Sequence, residues 1–223
     1  MSTVRYYDWS YHQARTRPNK VAVKEVSTGR ETTYGQLEER SCRLASWLQN
    51  KGVKKGDRVA ILIHNCTEVF ELEFACAKIG AIELPLNWRL TKPELEYILN
   101  DSSPEVLIYG SNFADTAKAL TKDCSIKNSL EIDDEDQNNE YEQALKENID
   151  FDVVETTHDD LIMLMYTSGT TGHPKGAMIT HEMQFYNIVN LAGSARVTDK
   201  TVQLIVLPLF HTGGMNCYAN PIL

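Results

Sequence analysis

Four short, nearly continuous apolar runs restrict the folds open to this chain. The runs lie at residues 58–63, 81–86, 105–109 and 161–166. Runs of this length without polar alternation are typical of parallel strands buried on both faces. Helical patterns lie between them, one at 67–79 that ends at Gly80 and one that opens at Thr91 with Pro93 in its first turn. This alternation predicts an α/β fold: a doubly wound, mostly parallel sheet with flanking helices.

The residues before the first run predict smaller elements. A short amphipathic helix is expected within the first twenty residues, followed by a hairpin whose arms are 21–26 and 31–34. Apolar residues then recur at helical spacing from Leu37 to Leu48, and Gly52 stands where a helix would end. No Pro- or Gly-rich linker divides the chain.

Charge and apolar content exclude several classes of function. The 223 residues hold 22 Lys and Arg against 31 Asp and Glu, a net charge of −9. That balance argues against a nucleic-acid partner and against a polybasic membrane anchor, but it leaves ATP open, because backbone amides and one lysine can hold phosphates. The apolar runs are shorter than the roughly 18 residues of a transmembrane helix. Five widely spaced cysteines and the absence of a secretory signal predict reduced thiols and a cytoplasmic protein.

An acidic segment at about 131–142 holds seven carboxylates and no basic residue. A cation site is one interpretation, and a solvated surface loop is the other. Acidic runs are usually solvated, and the segment lacks the glycine that an EF-hand loop requires. We therefore expect a surface loop.

A glycine- and hydroxyl-rich loop follows the last apolar run directly, at 167–176, and reads TSGTTGHPKG. Glycines let backbone N–H groups approach phosphate oxygens, hydroxyls donate hydrogen bonds without bulk, and Lys175 adds a positive charge. It is not a Walker A loop, because Pro174 and Gly176 stand where that pattern needs glycine and Ser or Thr. A glycine-rich surface hairpin is the alternative to a polyphosphate loop, but the position after a buried strand favours the phosphate loop.

The segment 166–181 resembles the phosphate-binding signature of the adenylate-forming superfamily. That superfamily comprises acyl-CoA and aryl-CoA synthetases, nonribosomal adenylation domains and luciferases. The matching residues are Tyr166, Thr167, Ser168, Gly169, Thr170, Thr171, Gly172, Pro174, Lys175, Gly176, Thr180 and His181. Met183 departs from the pattern, since many relatives have Asn after the Thr-His pair.

A second segment, LIVLPLFHTGG at 204–214, also resembles the family. There a strand delivers an aromatic–histidine pair, here Phe210 and His211, to the active site. Gly213 and Gly214 would leave room for a substrate. A histidine at a strand end can also be purely structural, but the neighbouring signature favours a role at the site.

The resemblance runs from about Tyr6 to Leu223, apart from the acidic segment. It implies an ATP-dependent carboxylate–CoA ligase that forms an acyl-adenylate and then an acyl-CoA thioester. His211 would be the catalytic residue beside the carboxylate. The residues implied to bind the β- and γ-phosphates of ATP are Thr167, Ser168, Gly169, Thr170, Thr171, Gly172 and Lys175.

The resemblance also implies elements that these residues do not contain. Relatives are longer and carry an acid that helps to hold magnesium, a ribose-binding aspartate and a C-terminal domain with the lysine that drives adenylation. Residues 1–223 are thus expected to be the N-terminal part of the AMP-binding domain, inactive alone, with no metal ligands of their own. Partners implied for the intact enzyme are ATP, Mg²⁺, CoA and a fatty or aryl acid, and a homodimer is possible.

Two alternatives stay open. One is an adenylation domain that loads a carrier protein, and the other is a non-catalytic nucleotide- or acyl-binding module. The sequence after Leu223 would identify the first alternative, because a carrier domain with an attachment serine would follow it.

Overall fold

The computed structural model describes residues 8–133, 136, 138–146, 150–167 and 172–223. Its α-helices are α1 Trp9–Thr16, α2 Tyr34–Asn50, α3 Thr67–Ile79, α4 Lys92–Ser102, α5 Ala114–Asp123, α6 Glu140–Ala144 and α7 His181–Ser194. Its strands are β1 Val21–Lys24, β2 Glu31–Thr33, β3 Arg58–Leu62, β4 Ile82–Pro85, β5 Val106–Gly110, β6 Asn128–Ile132, β7 Leu161–Thr167 and β8 Lys175–Thr180. A 3-10 turn spans Ser111–Phe113, and a π-helix spans Gly213–Ala219.

One six-stranded sheet organises the molecule, in the order β6-β5-β3-β4-β7-β8. The strands from β6 to β7 are parallel, and only β8 runs antiparallel to its neighbour. The strand order reverses at β3, because β4 is added on one side and β5 on the other. The predicted doubly wound, mostly parallel sheet is confirmed. The predicted hairpin is also confirmed, as the separate antiparallel pair β1-β2.

The sheet separates two apolar cores, because successive side chains of a strand point to opposite faces. Val59 and Ile61 of β3 belong to the core that contains α2 and α3. Ala60 and Leu62 belong to the core that contains α4 and α5. Every residue of α3 is buried. Burial on both faces explains why these strands read as continuous apolar runs.

The helix boundaries follow from local chemistry. Capping boxes start α2 at Thr33 with Gln36, and α4 at Thr91 with Glu94. Gly80 ends α3 with a left-handed φ of 68°. The predicted start at Thr91 and end at Gly80 are thus confirmed. In the described ranges, no helix combines the length and apolar character needed to cross a membrane.

A buried charged cluster attaches α1 to the rest of the fold. Lys78 in α3 places its Nζ 2.6 Å from Asp8 Oδ1 and 2.7 Å from Glu38 Oε2 of α2. The same Nζ donates to Ser10 Oγ at 3.2 Å. The side chain of Lys78 is fully buried, so its charge depends on these two carboxylates.

The prediction of a surface loop over 131–142 is wrong at both ends. β6 continues to Ile132, and α6 begins at Glu140. Arg40 Nη2 lies 2.6 Å from Glu142 Oε1, and the Tyr141 side chain is buried. The acidic positions outside the described residues are Asp134 and Glu135. The sequence pattern misses this packing because Arg40 comes from α2, far away along the chain.

The strand that the family resemblance implies before Phe210 and His211 is also absent from the described residues. Residues 201–206 have no regular secondary structure, and the side chains of Val202, Leu204 and Val206 are 94%, 63% and 77% exposed. A strand needs a neighbour for its peptide groups, and no segment within the described residues pairs with this one.

Candidate active site

The loops at the carboxyl ends of the parallel strands form the candidate site. β3 is followed by His64 and Asn65, β4 by Trp88 and Arg89, and β7 by the glycine-rich loop. Because β3, β4 and β7 are parallel, their carboxyl ends lie at one edge of the sheet. The strand order reverses at this edge, where open α/β sheets bind their ligands.

The structure describes the two ends of the predicted phosphate loop. The predicted residues outside the described ranges are Ser168, Gly169, Thr170 and Thr171. Thr167 ends β7 and pairs with Lys175, which begins β8. Gly172 has a φ of +97°, a conformation that favours glycine. Lys175 is exposed and forms no ion pair with the described carboxylates, so its charge is available to an anion.

Both flanks of the loop rest on α4. Before the loop, the Tyr166 hydroxyl donates to Asp101 Oδ2. After it, the His173 ring stacks on Tyr97, with centroids 5.0 Å apart and an interplanar angle of 23°. Burial and the hydrogen bond to Asp101 raise the pKa of Tyr166, so the phenol keeps its proton. These contacts attach the β7–β8 hairpin to α4.

The Thr-His pair that follows the loop has a structural role in this fold. Thr180 Oγ1 accepts a hydrogen bond from Met183 N at 3.1 Å and so caps α7. The His181 ring is 1% exposed, and burial is the main cause that lowers the pKa of His181 to about 4. The Thr180 cap starts α7 directly after β8, with the neutral His181 ring as its first buried side chain. Both residues follow the predicted phosphate loop along the chain.

His211 lies in an exposed turn just before the π-helix. Its Nδ1 accepts a hydrogen bond from Gly213 N at 3.1 Å, which assigns the proton of the neutral ring to Nε2. Gly214 is required for this turn, because a Cβ atom there would lie 2.2 Å from the Pro208 carbonyl oxygen. His211 therefore presents an N–H donor at Nε2.

Aromatic contacts hold Phe210 at the carboxyl edge of the sheet. Trp88 meets Phe210 edge-on, with ring centroids 6.2 Å apart. Arg89 places its Cζ 4.1 Å from the Trp88 ring centroid and 5.5 Å from that of Phe210. His64 also meets Trp88 edge-on, at 4.6 Å between centroids. The aromatic–histidine pair thus rests on the loops after β3 and β4.

The π-helix links the histidine turn to β7. Asn216 Nδ2 lies 3.3 Å from Thr212 Oγ1 and 3.9 Å from Met165 Sδ, two residues before Thr167. Asn187 of α7 donates to the Asn216 carbonyl at 2.6 Å. The structure therefore joins the His211 turn to the strand that precedes the predicted phosphate loop. No direct contact joins His211 to Lys175 among the described residues.

The donor set suits phosphate oxygens better than a metal ion. Thr167 and Lys175 offer a hydroxyl and an ammonium group, whereas Mg²⁺ prefers several oxygen ligands that include carboxylates. Within the described ranges, no group of three or more His, Cys, Asp or Glu side chains is arranged to hold a metal.

Comparison with known proteins identifies the family. Residues 10–223 match the family model described as AMP-binding enzyme. The chain belongs to the AMP-binding enzyme family. Within this family it is 37% identical over 215 residues to a feruloyl-CoA synthase of an Amycolatopsis species, covering 96% of this chain and 41% of the relative.

Two further relatives extend the comparison. A long-chain-fatty-acid–CoA ligase, FadD13 of Mycobacterium tuberculosis, is 36% identical over 208 residues, which is 93% of this chain and 41% of that protein. The crystal structure of ATP-bound MatB from Rhodopseudomonas palustris superposes with a TM-score of 0.83 at 28% identity, covering 95% of this chain and 43% of that one. The chain thus spans less than half the length of these relatives.

Several residues that lie around the candidate site in this member of the AMP-binding enzyme family were not predicted from the sequence. Asn65 binds the backbone on both sides of Pro208, and Trp88 and Arg89 support Phe210. The available signal is their position directly after buried strands, where loops at the carboxyl edge carry ligands.

Proposed function

We propose that this chain is the ATP-binding N-terminal portion of an acid–CoA ligase whose carboxylic acid is a fatty acid or an aryl acid. The intact enzyme joins the carboxylate to the α-phosphorus of Mg·ATP and releases pyrophosphate. The thiol of CoA then attacks the acyl carbonyl and releases AMP.

The observation that carries the proposal is the pairing of two features at one edge of the sheet. A hairpin ends in Thr167 and an exposed Lys175 without a carboxylate partner among the described residues. The His211 turn packs beside the same strand through Asn216 and Met165. A hydroxyl, a lysine and a ring N–H are donors suited to the anions of such a reaction. Membership of the AMP-binding enzyme family supports ATP as the nucleotide.

The proposed roles follow from the donors. Thr167, the loop residues 168–172 and Lys175 bind the β- and γ-phosphates and stabilise the charge that develops on pyrophosphate. His211 donates from Nε2 to an oxygen of the carboxylate or of the adenylate. The fatty and aryl classes are proposed because the relatives include a feruloyl-CoA synthase and a long-chain-fatty-acid–CoA ligase.

ATP–pyrophosphate exchange by the full-length parent protein, with a panel of fatty and aryl acids, tests the proposal. Lys175→Ala should reduce exchange by about 100-fold, the usual loss when one donor to a developing anion is removed. The melting temperature should not change, since Lys175 is exposed. The control is Lys122→Ala, at an exposed lysine of α5, which should exchange like the parent.

Each result has a clear consequence. Exchange by the parent with none of the acids would contradict the ligase assignment. Exchange that Lys175→Ala leaves unchanged would remove Lys175 from the phosphate site. Exchange without formation of an acyl-CoA thioester when CoA is added would favour a carrier protein as the acceptor.

A further inference from the structure

One side-chain amide holds the backbone on both sides of Pro208. Asn65 lies in the turn after β3 and is exposed. Its Nδ2 donates to the Leu207 carbonyl at 2.8 Å, and its Oδ1 accepts from Leu209 N at 2.9 Å. A primary amide offers a donor and an acceptor side by side, as a peptide group does. The segment 207–209 has no neighbouring strand among the described residues. The Asn65 amide therefore makes the two backbone hydrogen bonds that such a strand would make.

The segment held by Asn65 leads directly to the candidate histidine. Pro208 lies between the two bonded residues, and its carbonyl accepts a hydrogen bond from His211 N at 3.2 Å. Leu209 is buried in the core, which anchors the next position. The Pro208 carbonyl also lies against Gly214, where a Cβ atom would be only 2.2 Å away. The turn from Pro208 to Gly214 is tightly packed, so a shift of the Pro208 backbone would move the His211 ring.

The surroundings supply no equivalent second support for this backbone. Upstream of Leu207, residues 201–206 lack regular structure. Trp88 and Arg89 contact the Phe210 ring, but they form no hydrogen bond with the backbone of 207–209 that the structure records. Within the described residues, the two bonds from Asn65 are the polar contacts that tie this segment to the parallel sheet.

We propose that Asn65 is a positioning residue for His211: by holding the backbone at Leu207 and Leu209, it fixes the direction in which Nε2 of His211 donates to the carboxylate substrate. The inference rests on the proposed ligase function and on the proposed role of His211. It assigns Asn65 to the carboxylic-acid side of the reaction and not to the phosphate side, because its contacts reach the histidine turn and not Thr167 or Lys175.

A double-mutant cycle in the full-length parent protein tests this inference. The enzymes compared are the parent, Asn65→Ala, His211→Ala and the double variant, with kcat and KM measured separately for the acid and for ATP. Asn65→Ala should lower kcat/KM for the acid by about tenfold or more, because small misplacements of a reacting group are costly. The KM for ATP should stay within about twofold. In the His211→Ala background, Asn65→Ala should cost less than about twofold, since residues that act through each other are not additive.

The controls separate positioning from a general loss of structure. Asn128→Ala removes another side-chain amide, half-buried in β6, that donates to a backbone carbonyl, that of Lys51, and should leave all constants unchanged. If Asn65→Ala lowers the melting temperature, Asn65→Asp replaces it in the cycle. A carboxylate still accepts from Leu209 N but cannot donate to Leu207, so an intermediate loss for the acid is expected.

Three outcomes would overturn the inference. Fully additive losses in the double variant would mean that Asn65 does not act through His211. An equal rise in KM for ATP and for the acid would indicate a general structural role. Acid kinetics unchanged by His211→Ala would remove the proposed role of His211 and the inference with it, whereas the ligase assignment would still stand on pyrophosphate exchange.

Discussion

The parallel-sheet region, residues 58–132, and the C-terminal region, residues 161–223, differ in how they use apolar side chains. In the first, every residue of α3, β4 and β5 is buried. In the second, large apolar side chains stay exposed on α7 and on 201–207, including Tyr186, Val202 and Val206. The central elements of the parallel-sheet region are therefore fully buried, in a core shared with α2 and with Leu209 and Met215 of the C-terminal region, whereas the C-terminal region also exposes apolar surface beside the candidate site.

The difference teaches that stability and chemistry come from different parts of this chain. Parallel strands fix the carboxyl edge of the sheet through burial on both faces. Among the residues proposed to bind substrates, the described ones are exposed: Thr167, Gly172, Lys175 and His211. Glu73 of α3 joins the two regions, because its Oε1 accepts from Gln184 at 2.7 Å and from Asn220 at 2.8 Å.

The largest expected effect comes from the buried cation of the parallel-sheet region. Lys78→Met should lower the free energy of unfolding by about 3–5 kcal/mol, because it leaves the carboxylates of Asp8 and Glu38 without their buried cation. Urea denaturation measures the change. Lys92, which is exposed and pairs with Glu96 and Asp123, offers the matched control. Equal losses for Lys78→Met and Lys92→Met would contradict the comparison.

A pair of leucine variants compares the two regions directly. Leu72→Ala, at a fully buried residue of α3, should cost about 2–5 kcal/mol through lost burial and a cavity. Leu204→Ala, at a side chain that is 63% exposed, should change the free energy of unfolding by less than about 0.5 kcal/mol. Chemical denaturation of both variants checks the prediction. A large loss for Leu204→Ala would show that 201–207 is packed in solution.

The smallest predicted effect is a change in the pH dependence of stability, caused by Glu73, which links the two regions, and by its neighbour Glu83. Burial raises the pKa of Glu73 to about 7. It also raises the pKa of Glu83 well above its usual range, and the charge of Glu73 adds to that shift. An unfolded chain releases these protons near pH 4.3, so the native state binds more protons above that pH. The free energy of unfolding therefore falls as the pH rises from about 4.3 through 7.

Glu83→Gln tests this pH dependence, because glutamine keeps the shape of the side chain without a titrating proton. Between pH 5 and pH 8, the variant should lose less stability than the parent, because it lacks one of the two protons that the native state retains. Urea denaturation at the two pH values gives the difference. Glu39→Gln, at an exposed carboxylate of α2, should follow the parent. Parallel pH curves for Glu83→Gln and the parent would refute the prediction.

Sequence reasoning reached the sheet and its helices because their signals are local. The apolar runs predicted β3, β4, β5 and β7, and Gly80 and Thr91 marked helix ends correctly. It failed at 204–210 and at the ends of the acidic segment, because both depend on partners far away along the chain. The apolar run at 204–210 has no strand to pair with among the described residues. Glu142, at the end of the acidic segment, forms an ion pair with Arg40 of α2.

The amino-acid pattern alone determined the α/β class, the parallel sheet and the candidate loop with Lys175. Buried strands, helix caps and glycine-rich turns each depend on residues that are close together in the sequence. Tertiary structure decided which loops meet at the carboxyl edge. It brought Asn65 to the backbone beside Pro208, Trp88 and Arg89 to Phe210, and Asn216 to Met165. These contacts join residues widely separated along the chain, and only the packing of strands in a non-sequential order brings such residues together.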